Sequence, residues 1–398
     1  MVRKASVTPM RCDERFQEIY KREPEAHTFC PYRVCPIGAH VDHNLGKITG
    51  FAIDQGITFA YDVKRNGVVE VTSLQFPKRA QWHVLKTPPP ERDWADYLRG
   101  ATVMLGKRYP LRFGLCGVID GSLPIGGLSS SAAVTISFLV ALARVNDLHL
   151  ARQEIIDLAY AAERDYVGVS VGKLDQSCEV LSQKNSMLYL DTLDGSYETI
   201  PVNPVAKPFQ FGIFFSGLER SLVNSNFNTR VDELRAGVYA LEAFAGRPYG
   251  KFEETAARRV PPQIYQKYRE RLPEPWRKRC DHWYSEQDRV ERGAQAWREG
   301  DIERYGRLSF DSGMSSIINW ESGAPEQIKL YEILRKTDGV YGGRFAGAGF
   351  RGCCIAIVDP SQADAVLQSV SEAYLKEFPH LEGKYSCCIC NSADGIEL

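Results

Sequence analysis

No sign of charge dominates this chain of 398 residues: 49 Lys and Arg stand against 50 Asp and Glu, a formal net charge of −1. Without a broad field of either sign it has no bulk means of capturing nucleic acid or an anionic membrane, so an anionic ligand must be held by a local site. Long apolar runs are also missing. The longest, Ala132 to Val145, is interrupted by Thr135, Ser137 and Arg144. It falls short of the roughly 20 residues that a membrane span needs and reads as a buried helix. Arg3 and Lys4 have no apolar stretch behind them, which argues against a signal peptide. The 11 cysteines are odd in number and follow no framework, so they are expected to be reduced thiols of a cytoplasmic protein. Cys387, Cys388 and Cys390 lack a second pair at zinc-ribbon spacing, and the nearest histidine, His380, lies seven residues upstream. They are expected as small apolar residues on a half-buried strand.

What is present is globular in character: 44% hydrophobic, 25% charged and 11% aromatic residues. At roughly 150 residues per domain this length holds two or three domains. From Gly56 to Ser73, two β-rich runs joined at Asn66-Gly67 predict a hairpin. Helices are predicted over Ser129 to Val145 and Arg152 to Val167, and strands over Met187 to Asp191 and Phe209 to Ser216. The stretch Pro201 to Pro208 breaks regular structure and is read as the boundary between units 1–205 and 206–398. Arg230 to Tyr305 reads as one long charged helical region with a solvated face. The order of strands and helices in each half predicts an α/β or α+β pair of domains with a cleft between them.

Three segments carry chemistry. Gly126-Gly127-Leu128-Ser129-Ser130-Ser131 opens an apolar helix; its glycines allow backbone N–H groups to approach an anion and the helix start adds positive polarity, which suits a polyphosphate. Its serines can cap the helix, and one hydroxyl can ligate Mg²⁺. Pro31 to Asn44 packs Arg33, His40, Asp42 and His43 into one loop, a density suited to a hydroxyl-rich ligand. Gly347 to Gly352 matches the dinucleotide fingerprint literally but leads into a strand instead of a helix, so it is expected to be a tight turn approaching a backbone or a phosphate.

Taken together with Gly172-Lys173-Leu174-Asp175-Gln176 and Gly339 to Arg344, these segments resemble the GHMP sugar kinases, in their galactokinase branch and most of all its galacturonokinase members. The resemblance implies the GHMP kinase fold, an N-terminal ribosomal-S5-like α/β domain plus a C-terminal ferredoxin-like α+β domain, with ATP and sugar at their junction. It implies transfer of the γ-phosphoryl of ATP to an anomeric hydroxyl. Asp175 is then the catalytic base and Arg33 its cationic partner. Gly126, Gly127, Leu128, Ser129, Ser130 and Ser131 hold the ATP phosphates, and Ser131 and Glu163, twelve residues before Asp175, hold Mg²⁺. Ala39, His40, Asp42, Gly172 and Phe227 face the sugar. Taken alone, Asp175 reads as a helix N-cap and Glu163 as an ordinary surface carboxylate.

Departures from the family pattern bear on the substrate. Ala39 stands where galactokinases have a Glu implied to contact the C6 hydroxyl; its loss makes room for a C6 carboxylate and is also compatible with a C6-deoxy sugar. Arg351 replaces a glycine in the third motif and is either a partner for that carboxylate or a residue packed near the turn. Phe227 stands where a Tyr is usual, at the loss of one hydroxyl bond, worth about 0.5–1.5 kcal/mol. The loop between Pro124 and Leu128 is one residue shorter than in most galactokinases. The expected activity is an ATP-dependent D-galacturonate 1-kinase binding no nucleic acid and no membrane, with a kinase of galactose or another neutral sugar, or a non-catalytic sugar sensor, as alternatives. Arg33, Ser131, Glu163 and Asp175 occurring together argue against a sensor.

Overall fold

The computed structural model describes residues 9–218, 227–248, 250–349 and 352–398. Its first part contains helix α1 (Pro9–Tyr20), strands β1 (Ala26–Val34), β2 (Lys47–Lys64), β3 (Val68–Ser73) and β4 (Ala80–His83), helix α2 (Asp96–Arg108) and strand β5 (Gly114–Gly121). Helices α3 (Ser130–Val145), α4 (Arg152–Ala161) and α5 (Leu174–Leu181) follow, then strands β6 (Ser186–Asp191) and β7 (Tyr197–Pro201). The strands form one sheet in the order β4-β3-β5-β2-β6-β7, with β1 also paired to β2. As its apolar composition requires, α3 is buried along most of its length, against β1, β2, α2 and α4.

The predicted hairpin does not form. Asn66-Gly67 does turn the chain, with Gly67 N–H donating to the Lys64 carbonyl at 3.2 Å, but β5 lies between β2 and β3. It runs antiparallel to β2, with Ile57 opposite Gly121, and parallel to β3, with Glu70 opposite Cys116. An apolar strand such as β5, buried on both faces, takes a neighbour on each side, and the α2 crossover delivers it there.

Across residues 202–209 the chain passes into a second sheet. Strands β8 (Gln210–Phe215), β9 (Val340–Phe345), β10 (Cys353–Val358) and β11 (Ser386–Cys390) pair antiparallel in the order β11-β8-β10-β9. Six described α-helices accompany it: α6 (Phe227–Phe244), α7 (Pro262–Tyr268), α8 (Glu274–Glu299), α9 (Ile302–Ile318), α10 (Pro325–Leu334) and α11 (Ala363–Glu377). The expected single charged helical region is therefore four helices. Pro261, Pro262 and Pro273 interrupt it, and Gly300 ends α8 in the left-handed conformation at φ +78°. Asp301 then caps α9, accepting from Arg304 N–H at 2.9 Å.

The two parts are stitched together. One hydrophobic cluster contains Phe51 and Phe59 of the first sheet, Phe211 and Ile355 of the second, and Trp297 of α8. The C-terminal tail returns to the first sheet, where β12 (Ser392–Ala393) pairs with β2, and Ile396 N–H donates to the Glu179 carbonyl of α5 at 2.8 Å. The eleven cysteines are free thiols, with Cys387, Cys388 and Cys390 on β11. Among the described residues no helix is long and apolar enough to cross a membrane.

Candidate functional site

Strand β1 ends at Val34, and the chain enters a loop that the C-terminal helices grip from behind. Gly38 N–H donates to Glu286 Oε1 at 2.7 Å, His282 Nε2 bonds the Ala39 carbonyl at 3.0 Å, and Trp283 Nε1 donates to the Val41 carbonyl at 3.3 Å. With its backbone groups used this way, the loop can hold Gly38 (φ +106°) and His40 (φ +61°) in left-handed conformations.

Arg33, buried at the end of β1, is where the loops meet. Its Nε donates to Asp175 Oδ1 at 2.8 Å, its guanidinium donates to the Gly127 carbonyl at 3.0 Å, and its own N–H reaches the Leu128 carbonyl at 3.4 Å. Burial works against the Arg33 charge, but the Asp175 carboxylate outweighs it and holds the guanidinium protonated. Asp175 lies in the first turn of α5, not at its N-cap, which is Lys173. With a side chain 25% exposed, it reaches a surface from which a substrate can approach. Asp42 stands close by: burial, then the Asp175 charge, push its carboxyl up to about 6, opposed by the Leu174 N–H it accepts at 3.2 Å. Gly172 packs against this carboxylate so closely that any Cβ would run into it.

The serine-rich loop departs from a simple cap. Helix α3 starts at Ser130; Ser129 sits at the cap position in the left-handed conformation (φ +60°) and its side chain caps nothing. The Ser129 hydroxyl is buried and has no hydrogen-bond partner among the described residues. A buried, unpaired hydroxyl at the mouth of a helix is what an absent anion would satisfy. Gly347 approaches a backbone, as expected of this segment, and that backbone is the serine-rich loop: a Cβ on Gly347 would lie 2.8 Å from the Gly127 Cα. Arg351 lies outside the described residues.

Next to Asp175 in sequence, Gln176 donates through Nε2 to the buried Glu163 carboxylate at 2.9 Å. Glu163 sits in a π-helical turn, Ala162–Val167, that continues α4, so it is no surface residue. Beside the loop that carries His40, rings gather: His40 stacks on Trp320 with centroids 5.1 Å apart, and Phe227 lies 6.1 Å from His40 and 5.9 Å from His43. Burial, then the Arg344 charge, lower His40 well below the usual histidine range, and burial, then Arg235, lower His43 to about 3. Both rings are neutral at pH 7.

Three family descriptions match this chain: the galactokinase galactose-binding signature over residues 14–63, the GHMP kinases N terminal domain over 96–183 and the GHMP kinases C terminal domain over 288–376. Galacturonokinase from Arabidopsis thaliana is 36% identical over 393 residues, covering 92% of each chain. The chain belongs to the GHMP kinases, as a sugar kinase of the galactokinase and galacturonokinase type. Galactokinase from Roseiflexus sp. (strain RS-1) is 30% identical, over 96% of this chain and 95% of its own length. The solved Lactococcus lactis galactokinase, complexed with galactose, superimposes with a TM-score of 0.86 over 97% of this chain and 98% of that one, at 27% identity. The Methanococcus jannaschii mevalonate kinase shares the fold, with a TM-score of 0.63 at 15% identity over 93% of this chain and 98% of its own.

GHMP kinases use ATP with Mg²⁺ as the usual cation, and the donors of this sugar kinase fit that ion. No cluster of three His, Cys, Asp or Glu side chains suited to a metal occurs among the described residues. The Glu163 carboxylate and the Ser131 hydroxyl at the start of α3 are hard oxygen donors of the kind Mg²⁺ takes beside phosphate and water oxygens. Sequence reasoning had no role for Trp320, His282 or Glu286. Each reaches the sugar loop from more than 240 residues away, and nothing local marks it.

Proposed function

We propose that this sugar kinase phosphorylates D-galacturonate at its anomeric hydroxyl, giving α-D-galacturonate 1-phosphate and ADP. Ala39 carries the reading of the substrate: the loop that bears His40 and Asp42 offers a methyl group where a carboxylate would repel a uronate. Arabidopsis thaliana galacturonokinase, 36% identical, supports the same substrate. In this reading Asp175 accepts the proton of the anomeric hydroxyl as its oxygen attacks the γ-phosphorus in line with the departing ADP oxygen. Arg33, tied to Asp175 at 2.8 Å, orients that carboxylate and faces the charge developing on the transferred group. Gly126, Gly127, Leu128, Ser129 and Ser130 cradle the phosphates through backbone N–H groups and the free Ser129 hydroxyl. Ser131 and Glu163 would hold Mg²⁺, which screens the phosphate charge. His40, Asp42, the Gly172 backbone and the Phe227 ring take the sugar. The reading places the protein in the cytoplasm and divides it into units 1–205 and 206–398.

The galactose-binding signature over residues 14–63 favours one second reading, a galactokinase. Incubation with Mg-ATP and, separately, galacturonate, glucuronate, galactose and N-acetylgalactosamine decides between them. Galacturonate should give the highest kcat/KM; faster turnover of galactose would overturn the role given to Ala39.

A further inference from the structure

The ring cluster beside the sugar loop has an unmet requirement. His40 Nε2, both ring nitrogens of His43 and Trp320 Nε1 are buried, and none has a hydrogen-bond partner among the described residues. A neutral imidazole carries one N–H, and an indole carries only a donor, so at least two donors here lack an acceptor. Leaving them so forfeits their hydration with no return. The rings converge: Trp320 lies 5.1 Å from His40 and 5.5 Å from His43, and Phe227 lies within 6.1 Å of both. The Ala39 carbonyl in the same loop is already taken by His282.

The charged groups that bear most on the two imidazoles are Arg344, Arg33 and Arg235, and each disfavours a proton on the rings. Neutral N–H donors without acceptors, near these guanidinium groups and walled by aromatic faces on the loop that bears Ala39, suit a planar anion that accepts hydrogen bonds.

We propose that His43 and Trp320, together with His40, seat the C6 carboxylate of the sugar acid. The proposal rests on the galacturonate reading and adds the residues that select the acid over the neutral sugar. His43 and Trp320 then determine specificity without touching the phosphoryl group.

Calorimetric titration of the full-length protein with galacturonate and with galactose, each in the presence of Mg-ADP, tests it. His43→Phe and Trp320→Phe keep a ring in place and remove nitrogens, whereas His43→Gln returns an N–H donor. Selectivity, the Kd for galactose divided by that for galacturonate, should fall tenfold or more in each Phe variant and partly recover in His43→Gln. Thermal melts identify any variant that fails to fold, in which case the other two decide. Wild-type preference for galacturonate that survives unchanged in the folded variants would overturn the carboxylate seat and leave the galacturonate reading standing. A wild-type protein that prefers galactose would overturn both.

Discussion

Gly126 and Gly352 meet backbone to backbone: a Cβ on Gly126 would lie 2.9 Å from the Gly352 Cα, and a Cβ on Gly352 would lie 2.8 Å from the Gly126 carbonyl carbon. Two glycine-rich segments more than 200 residues apart in sequence thus pack against each other, and the shape of the serine-rich loop depends on that contact. Gly352 also has φ +109°, a conformation that side chains resist.

Gly352→Ala should therefore push the serine-rich loop out of place. Steady-state kinetics at saturating sugar should show the KM for ATP rising about tenfold, which is about 1.4 kcal/mol, with the Kd for sugar much less affected. Urea unfolding should show a loss of about 1–3 kcal/mol, the usual range for strain at a special backbone position. An unchanged KM for ATP would mean that the turn does not shape the nucleotide site.

The Arg33–Asp175 pair leads to a second prediction. Asp175→Asn keeps an oxygen that can accept from Arg33 Nε but cannot take a proton from a sugar hydroxyl. Turnover should fall by about 10²–10⁴, the range for loss of a positioned base, while sugar and nucleotide binding persist. Calorimetry and a coupled ADP assay measure the two quantities separately, and retention of most activity would remove Asp175 from that role.

Much of this site was legible because its polar groups are contiguous in sequence. Arg33 to His43, Gly126 to Ser131 and Gly172 to Gln176 each form one local segment, and a glycine or serine run announces its backbone use. The failures have physical causes. Asn66-Gly67 signalled a turn correctly, but no turn reveals that β5 will insert between the strands it joins. Ser129 looked like a cap and instead takes a left-handed conformation, its hydroxyl without a partner among the described residues, next to glycines that pack on a distant segment. Glu286 stands among the many charges of α8, and only the packing of that helix against β2 and α9 makes it a buried anion and not a solvated one.

Asp42 gives the site a dependence on pH. An ionised carboxylate accepts hydrogen bonds only, so sugar hydroxyls can donate to both of its oxygens once it has lost its proton. With its pKa raised to about 6, sugar affinity should weaken as pH falls below that value, by up to tenfold per unit. Asp42→Asn should bind weakly with this dependence removed. The folded protein holds this proton between about pH 4 and 6, where the unfolded chain has released it, so the group's contribution to stability falls as pH rises through that window. The Asn variant should consequently melt at a higher temperature than wild type at pH 7 and lose that advantage near pH 4.

Glu286 is the anion on which the back of the sugar loop is built. Fully buried, it accepts from Gly38 N–H at 2.7 Å and Ser312 Oγ at 2.5 Å, and pairs with Arg289 at 2.6 Å and Arg344 at 3.6 Å. Burial alone would raise its pKa, but Arg289, His282 and Arg344 together lower it to about 2. Glu286→Gln keeps a carbonyl for Gly38 and removes the charge, leaving the buried Arg344 without its anion. Breaking a buried pair in this way costs about 3–5 kcal/mol, which urea unfolding at pH 7 should show. Because the folded pKa is depressed, the charge contributes fully above about pH 4.5 and is lost as pH falls toward 2. The gap between wild type and Glu286→Gln should narrow over that window. A constant gap would mean that Glu286 acts through shape and not through its charge.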